Sequence, residues 1–178
     1  MTATRRRAGR ARSERGELPP IEAAKALSLR LLASRARTEA EIRTRLDRAE
    51  FRGQADEVLA WLRSLGYLDD AGLARARARS LLSPGRLGPR EVEHRLVRAG
   101  LPPAKARAAV EEALRGEGRS PDAAERELCR ILAERKARRP LETLDERARA
   151  RLARFLAGRG FGGHAVASVL GIFIDGDS

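Results

Sequence analysis

One apolar spacing occurs three times along the chain, and it limits the folds available more than any other feature. In "EIRTRLDRAEF", Ile42, Leu46 and Phe51 stand four and then five residues apart. Val92, Leu96 and Leu101 in "EVEHRLVRAGL" repeat that spacing, as do Leu152, Leu156 and Phe161 in "ARLARFLAGRGF". The trios are offset by a constant 50 and then 60 positions, and Arg45/Arg95, Ala49/Ala99 and Gly100/Gly160 fall in the same register. The first two members of each trio are i and i+4, on one face of a helix. The third lies on the turn into a further helix, marked by Val58, Leu59 and Leu62, then Ala106, Val110 and Leu114, then Val166, Val169 and Leu170. Each unit is therefore a helix-turn-helix pair with another helix in front of it. A unit of this size is marginal alone. Three in series can share interfaces, so the pattern predicts an all-α fold of three tandem three-helix repeats, arranged as an elongated, curved solenoid.

Punctuation sets the boundaries. Gly66, Gly88-Pro89, Gly100 with Pro102-Pro103, Ser120-Pro121, Pro140, Gly160 and Gly162-Gly163 are helix stops or starts. Thr38 followed three residues later by Glu41 is a capping box. The predicted helices cover 27–35, 38–50, 54–65, 70–82, 89–99, 103–115, 121–138, 142–158 and 163–173. They group into repeats at 21–68, 69–117 and 118–173, with a basic, disordered arm at 1–20 and an acidic tail at 174–178.

Charge then narrows the partners. The 178 residues hold 37 Lys and Arg against 25 Asp and Glu, a net charge of +12. Such a chain favours anionic partners, and Arg suits bidentate contacts to phosphate and carboxylate. Aromatic residues make up only 3% of the chain, and Phe51, Trp61, Tyr67 and Phe161 occupy positions that read as core. Cys129, the single cysteine, lies among Leu128, Ile131 and Leu132 and reads as a packed helix residue, which leaves no disulfide framework and no thiol metal cluster. His94 and His164 stand 70 residues apart and read as surface or capping residues. No phosphate-cradling loop and no nucleophile elbow is present. "GRGFGG" follows no strand and reads as a helix-helix turn. The pattern predicts neither an enzyme nor a cofactor or metal site. No apolar run reaches the ~18 residues of a membrane span, and the expected location is the cytoplasm.

The stretch "GYLDDAGLARARARSLL" joins the first two repeats. Gly66 ends a helix in the left-handed position. Tyr67 and Leu68 are expected to plug the joint, and Asp69 or Asp70 to cap the next helix. On that helix Ala74, Ala78, Leu81 and Leu82 share a face, while Arg75 and Arg79 line one edge.

"GYLDD", the following helix and "GPREVEHRLVRAGL" resemble the RecX family, regulators of the RecA recombinase. "LASRARTEAEIRTRL" is similar to that family's first unit and "FLAGRGF" to its third, so the resemblance covers about Lys25 to Leu170. It implies three three-helix units, no enzymatic activity, binding to RecA filaments and, in many members, to DNA. The family generally has Phe where Leu73 stands, often an aromatic where Arg77 stands, and Glu-Leu where this chain has Arg95-Leu96. A cation at the apolar Arg77 site must snorkel or find a carboxylate. The expectation is a monomeric regulator that binds the RecA nucleoprotein filament and mainly inhibits its ATPase, strand exchange and co-protease activity. The partner- and DNA-binding strip is expected at Arg35, Arg37, Arg75, Arg79, Arg86 and Arg90, with DNA, single- or double-stranded, held weakly and without sequence preference. The alternative is a helix-turn-helix DNA-binding protein that acts without RecA. The acidic start of "QADEVLAWLRSLG" speaks against that helix entering a groove.

Overall fold

The computed structural model describes residues 18–83, 86–115 and 118–172. Nine α-helices and no strand occur among them: α1 (Pro20–Ser34), α2 (Glu39–Arg48), α3 (Ala55–Ser64), α4 (Asp70–Leu82), α5 (Pro89–Arg98), α6 (Pro103–Leu114), α7 (Pro121–Ala137), α8 (Glu146–Gly158) and α9 (Gly163–Leu170). The chain thus has the all-helical repeat architecture that the spacing predicts. Nearly all of the expected arm at 1–20, and all of the tail at 174–178, lie outside the described residues.

Two helix starts differ from the sequence reading. α1 begins at Pro20, not near residue 27, because Pro20 takes the first helical position, where a missing N–H costs nothing. α8 begins at Glu146, not near residue 142. Leu141–Thr143 forms a short 3-10 turn after Pro140, and the Asp145 side chain caps α8 by accepting from the Ala148 N–H at 2.7 Å.

The chain divides into two compact units. The smaller holds residues 1–36 and 42–67, and the larger holds residues 37–41 and 68–178. In the smaller unit α1 packs on α3. Ala24, Ile42, Leu46, Ala55, Val58, Leu59 and Leu62 are fully buried, and the Lys25 ammonium lies 5.3 Å from the centre of the half-buried Trp61 ring.

The larger unit contains two three-helix cores. In the first, α4, α5 and α6 pack on one another around Ala74, Ala78, Val92, Leu96, Leu101 and Val110. In the second, α7, α8 and α9 pack around Cys129, Leu132, Leu152, Leu156, Phe161 and Leu170. The repeat trios supply central members of both cores, which is the physical reason for the constant spacing. Burial pushes the Cys129 thiol up to about 12, with Glu125 adding to the shift. It is a core residue and not a nucleophile.

Candidate partner interface

The acidic turn does two jobs. Asp69 caps α4, its carboxylate accepting from the Gly72 N–H at 2.8 Å. Asp70 turns elsewhere and accepts from the Glu39 N–H at 3.0 Å, at the start of α2. The first turn of α2 belongs to the larger unit and is tied into it at several points. The capping box forms as read: the Thr38 N–H donates to Glu41 at 3.0 Å and the Glu41 N–H to the Thr38 hydroxyl at 3.1 Å. That hydroxyl donates in turn to the Ala99 carbonyl at 2.6 Å. Arg77, the cation at an apolar site, finds its carboxylate in Glu41 at 3.0 Å.

The same joint recurs one repeat on. Gly88 and Arg159 stand where the 50 and 60 offsets place the equivalents of Thr38 and Ala99. The Gly88 N–H donates to the Arg159 carbonyl at 2.7 Å, and the Arg90 N–H to the Gly160 carbonyl at 3.1 Å. Both joints require a glycine on the receiving turn. Gly100 and Gly160 each have φ +90°, and a Cβ would run into Ala40 at the first and into the Glu91 backbone at the second. Gly88 approaches so closely that a Cβ there would strike the Gly160–Phe161 peptide. Glu50 is the register equivalent of these two glycines in the first repeat. It keeps the left-handed backbone, φ 65°, but is exposed.

Gly66 takes the left-handed helix-ending position, φ 73°. Tyr67 departs from the sequence reading, because it is 55% exposed. Its backbone N–H closes the turn on the Leu62 carbonyl at 3.0 Å, and that turn leaves the ring outside. Leu68 is half-buried.

The six candidate arginines differ in surroundings. Arg35 ends α1, is exposed, and donates to the Ala36 carbonyl at 3.1 Å. Arg37, in the larger unit, is half-buried. Arg75 reaches Glu112 at 3.8 Å, so part of its charge is already answered. Arg79, Arg86 and Arg90 are exposed, and Arg90 lies in the first turn of α5. On that helix Glu91 accepts from Arg95 at 2.8 Å and Arg98 at 3.2 Å. The hydrogen bond from Arg95 holds its carboxyl below the usual range. His94 and His164 are exposed. No group of three or more His, Cys, Asp or Glu that could hold a metal exists among the described residues, and no helix among them is long and apolar enough to cross a membrane.

Comparison with known proteins decides the family. Residues 24–62 match the RecX first three-helix domain and residues 124–170 the RecX third three-helix domain. The regulatory protein RecX of Thermus thermophilus is 34% identical over 140 residues, which is 76% of this chain and 82% of that protein. The chain belongs to the RecX family. The regulatory protein RecX of Syntrophotalea carbinolica is 33% identical over 142 residues, covering 75% of this chain and 85% of that one. The crystal structure of RecX from Lactobacillus salivarius superposes with a TM-score of 0.72 at 20% identity, over 86% of this chain and 98% of that one. A second RecX crystal structure gives 0.70 at 20%, over 84% and 72%. At that identity the likeness is one of fold.

Two features of this RecX-family chain escaped sequence reading. The receiving carbonyls Ala99 and Arg159 are backbone atoms and leave no residue-type signal. Phe155 is half-buried and carries two cations: the Lys136 ammonium 5.1 Å and the Arg159 guanidinium 5.0 Å from its ring centre. The i, i+4 spacing of Phe155 and Arg159 was visible, but Lys136 comes from another helix.

Proposed function

We propose that this protein is a regulator of the RecA recombinase that binds the RecA nucleoprotein filament and lowers its ATP hydrolysis, strand exchange and co-protease activity. On this reading it works as a cytoplasmic monomer without enzymatic activity or cofactor and acts in recombinational DNA repair and the SOS response. The observation that carries the reading is membership of the RecX family over most of the chain, at 34% identity to a protein named for regulation. The exposed arginines supply the chemistry: Arg35, Arg79, Arg86 and Arg90 present guanidinium groups to anionic surfaces, and Arg37 and Arg75 stand beside them in sequence. At the start of α5 the Gly88 and Arg90 N–H groups are already given to the Arg159 and Gly160 carbonyls, so Arg90 contributes through its guanidinium. GYLDD has a structural role, because both of its acids cap helices.

The test is to titrate the protein onto RecA assembled on single-stranded DNA with ATP and follow phosphate release. Inhibition at protein well below the RecA concentration fits a filament regulator. Absence of inhibition, together with tight, sequence-selective binding to duplex DNA without RecA, would establish the helix-turn-helix reading instead.

A further inference from the structure

The last helix is followed by an apolar run and then by acids. α9 ends at Leu170, where Gly171 takes the left-handed position, φ 63°. The Ile172 N–H closes that turn on the Ala167 carbonyl at 3.0 Å. Ile172 is exposed, and the sequence continues with Phe173, Ile174, Asp175, Gly176 and Asp177. Three large apolar residues in a row therefore precede two carboxylates.

The same repeat carries the complement of that pattern. Between residues 135 and 159 nine basic residues face three acidic ones, a net +6 and half of the chain's +12. The end of α7 and the face of α8 enclose an open groove of about 310 Å3. Its floor is apolar, made by Leu144, Ala148, Leu152 and Phe155, and its rim carries Lys136, Arg139 and Arg151. No carboxylate among the described residues lines it. Arg139 and Arg151 are exposed, and neither has an ion-pair partner among those residues. An apolar floor with a cationic rim fits a segment that is apolar and then acidic.

The chain brings such a segment within reach. The Gly162 N–H donates to the Glu125 carboxylate at 2.7 Å, which sets the start of α9 beside the second turn of α7. α9 packs along α7, and its 8 residues advance about 12 Å, toward the α7 end that bears Lys136. From Ile172 to Asp177 an extended chain spans up to about 17 Å. So short a tether gives the segment an effective concentration in the millimolar range. The same segment of a second copy, at micromolar concentration, competes poorly with it.

We infer that the α7–α8 groove is the seat of the chain's own residues 173–177, with Phe173 and Ile174 on the apolar floor and Asp175 and Asp177 against Lys136, Arg139 and Arg151. The contact is autoinhibitory: it answers the cations of the third repeat from within until an anionic partner displaces it. It needs no second protein, so it does not rest on the filament reading.

The experiment uses the full chain with Ser178→Cys carrying a nitroxide. Cys129 is fully buried and its thiol is pushed up to about 12, so the label goes to the new cysteine. In amide NMR spectra the resonances of Lys136, Arg139, Ala148, Arg151 and Leu152 should lose most of their intensity through paramagnetic relaxation. They should regain it when Asp175→Asn and Asp177→Asn are added, and likewise with Arg139→Gln and Arg151→Gln. Raised salt should also restore intensity, because it screens the pairs. Circular dichroism melts check that each variant is folded. A mixture of spin-labelled chain with isotope-labelled chain that carries no nitroxide should show no broadening at the groove. Broadening spread evenly over the surface would overturn the assignment, as would groove broadening that survives both sets of charge substitutions. Groove broadening in the mixture as strong as in the single chain would overturn it in favour of a second copy.

Discussion

Asp69 and Asp70 are neighbours in the chain and cap two different helices, so at residue scale identity says less than the partner. Thr38 shows the same economy: one hydroxyl accepts from Glu41 and donates to Ala99. It is fully buried, so Thr38→Ala loses a cap and takes the hydroxyl donor from the Ala99 carbonyl. The expected cost is about 2 kcal/mol, the upper part of the range for caps, and Thr38→Ser should recover most of it. Urea unfolding followed by circular dichroism measures both. Tyr67 makes the opposite case. Its sequence context suggests a buried aromatic, whose truncation would cost about 3 kcal/mol or more. Its 55% exposure instead predicts that Tyr67→Ala shifts stability by no more than about 0.5 kcal/mol. A loss of several kcal/mol in the same urea experiment would show that the ring is packed after all.

At the scale of elements, the repeat of the joint makes glycine replacements predictable. Gly100→Ala and Gly160→Ala each place a side chain at φ +90° and into a neighbouring helix start. Left-handed backbone alone costs about 1–2 kcal/mol for an L-residue, and the collision adds to it, so each should cost about 2 kcal/mol or more. Glu50→Gly, at the register equivalent, should instead be neutral or gain up to about 1 kcal/mol, because it relieves the same backbone without a collision. Thermal melts of the three variants test the contrast, and equal losses in all three would break the equivalence. α5 carries a pH signature as well. The Glu91 carboxyl sits below its ordinary range because Arg95 donates to it and Arg95 and Arg98 lie close. A depressed folded pKa gives stability that is present above the unfolded value of about 4.3 and lost as pH falls through the folded one. Glu91→Gln should therefore be less stable than the parent at neutral pH and converge with it in acid, as melts at stepped pH would record. Much of this level is legible in sequence. The apolar trios mark the two cores of the larger unit, Gly66 ends α3, and Thr38–Glu41 reads as a capping box. The start of α8 is less legible, because Glu142 and Asp145 are both plausible early-turn acids and only the 3-10 turn at Leu141–Thr143 separates them. Asp70 is illegible by nature, since its partner Glu39 is 31 residues away.

At the scale of the molecule, the +12 charge needs division into what folding uses and what a partner can use. Several arginines are engaged internally: Arg43 with Asp56 at 2.6 Å, Arg77 with Glu41 at 3.0 Å, Arg95 and Arg98 with Glu91. The exposed pairs among these contribute about 0–1 kcal/mol each, so they shape the surface more than they hold the fold, whereas Arg77–Glu41 is partly buried. Arg86 and Arg90 are exposed and have no ion-pair partner among the described residues. Reversing both to Glu should cost the fold little, because an acid at position 90 lies in the first turn of α5, where the helix dipole favours it. Each reversal changes the net charge by two, so the pair takes +12 to about +8, and the change falls where filament contact is proposed. The melting temperature should stay within a few degrees of the parent's. Inhibition of RecA's ATP hydrolysis should require about tenfold more protein. If the pair contacts DNA phosphates within the filament, the logarithmic salt slope of binding should fall by about 0.9 for each contact removed. Titrating both proteins onto RecA–DNA filaments at several salt concentrations gives potency and slope together. A loss of potency with an unchanged slope would place the pair against protein rather than DNA. Unchanged potency and slope, in a variant that melts like the parent, would remove Arg86 and Arg90 from the interface and leave their charge as a solvated feature of the surface.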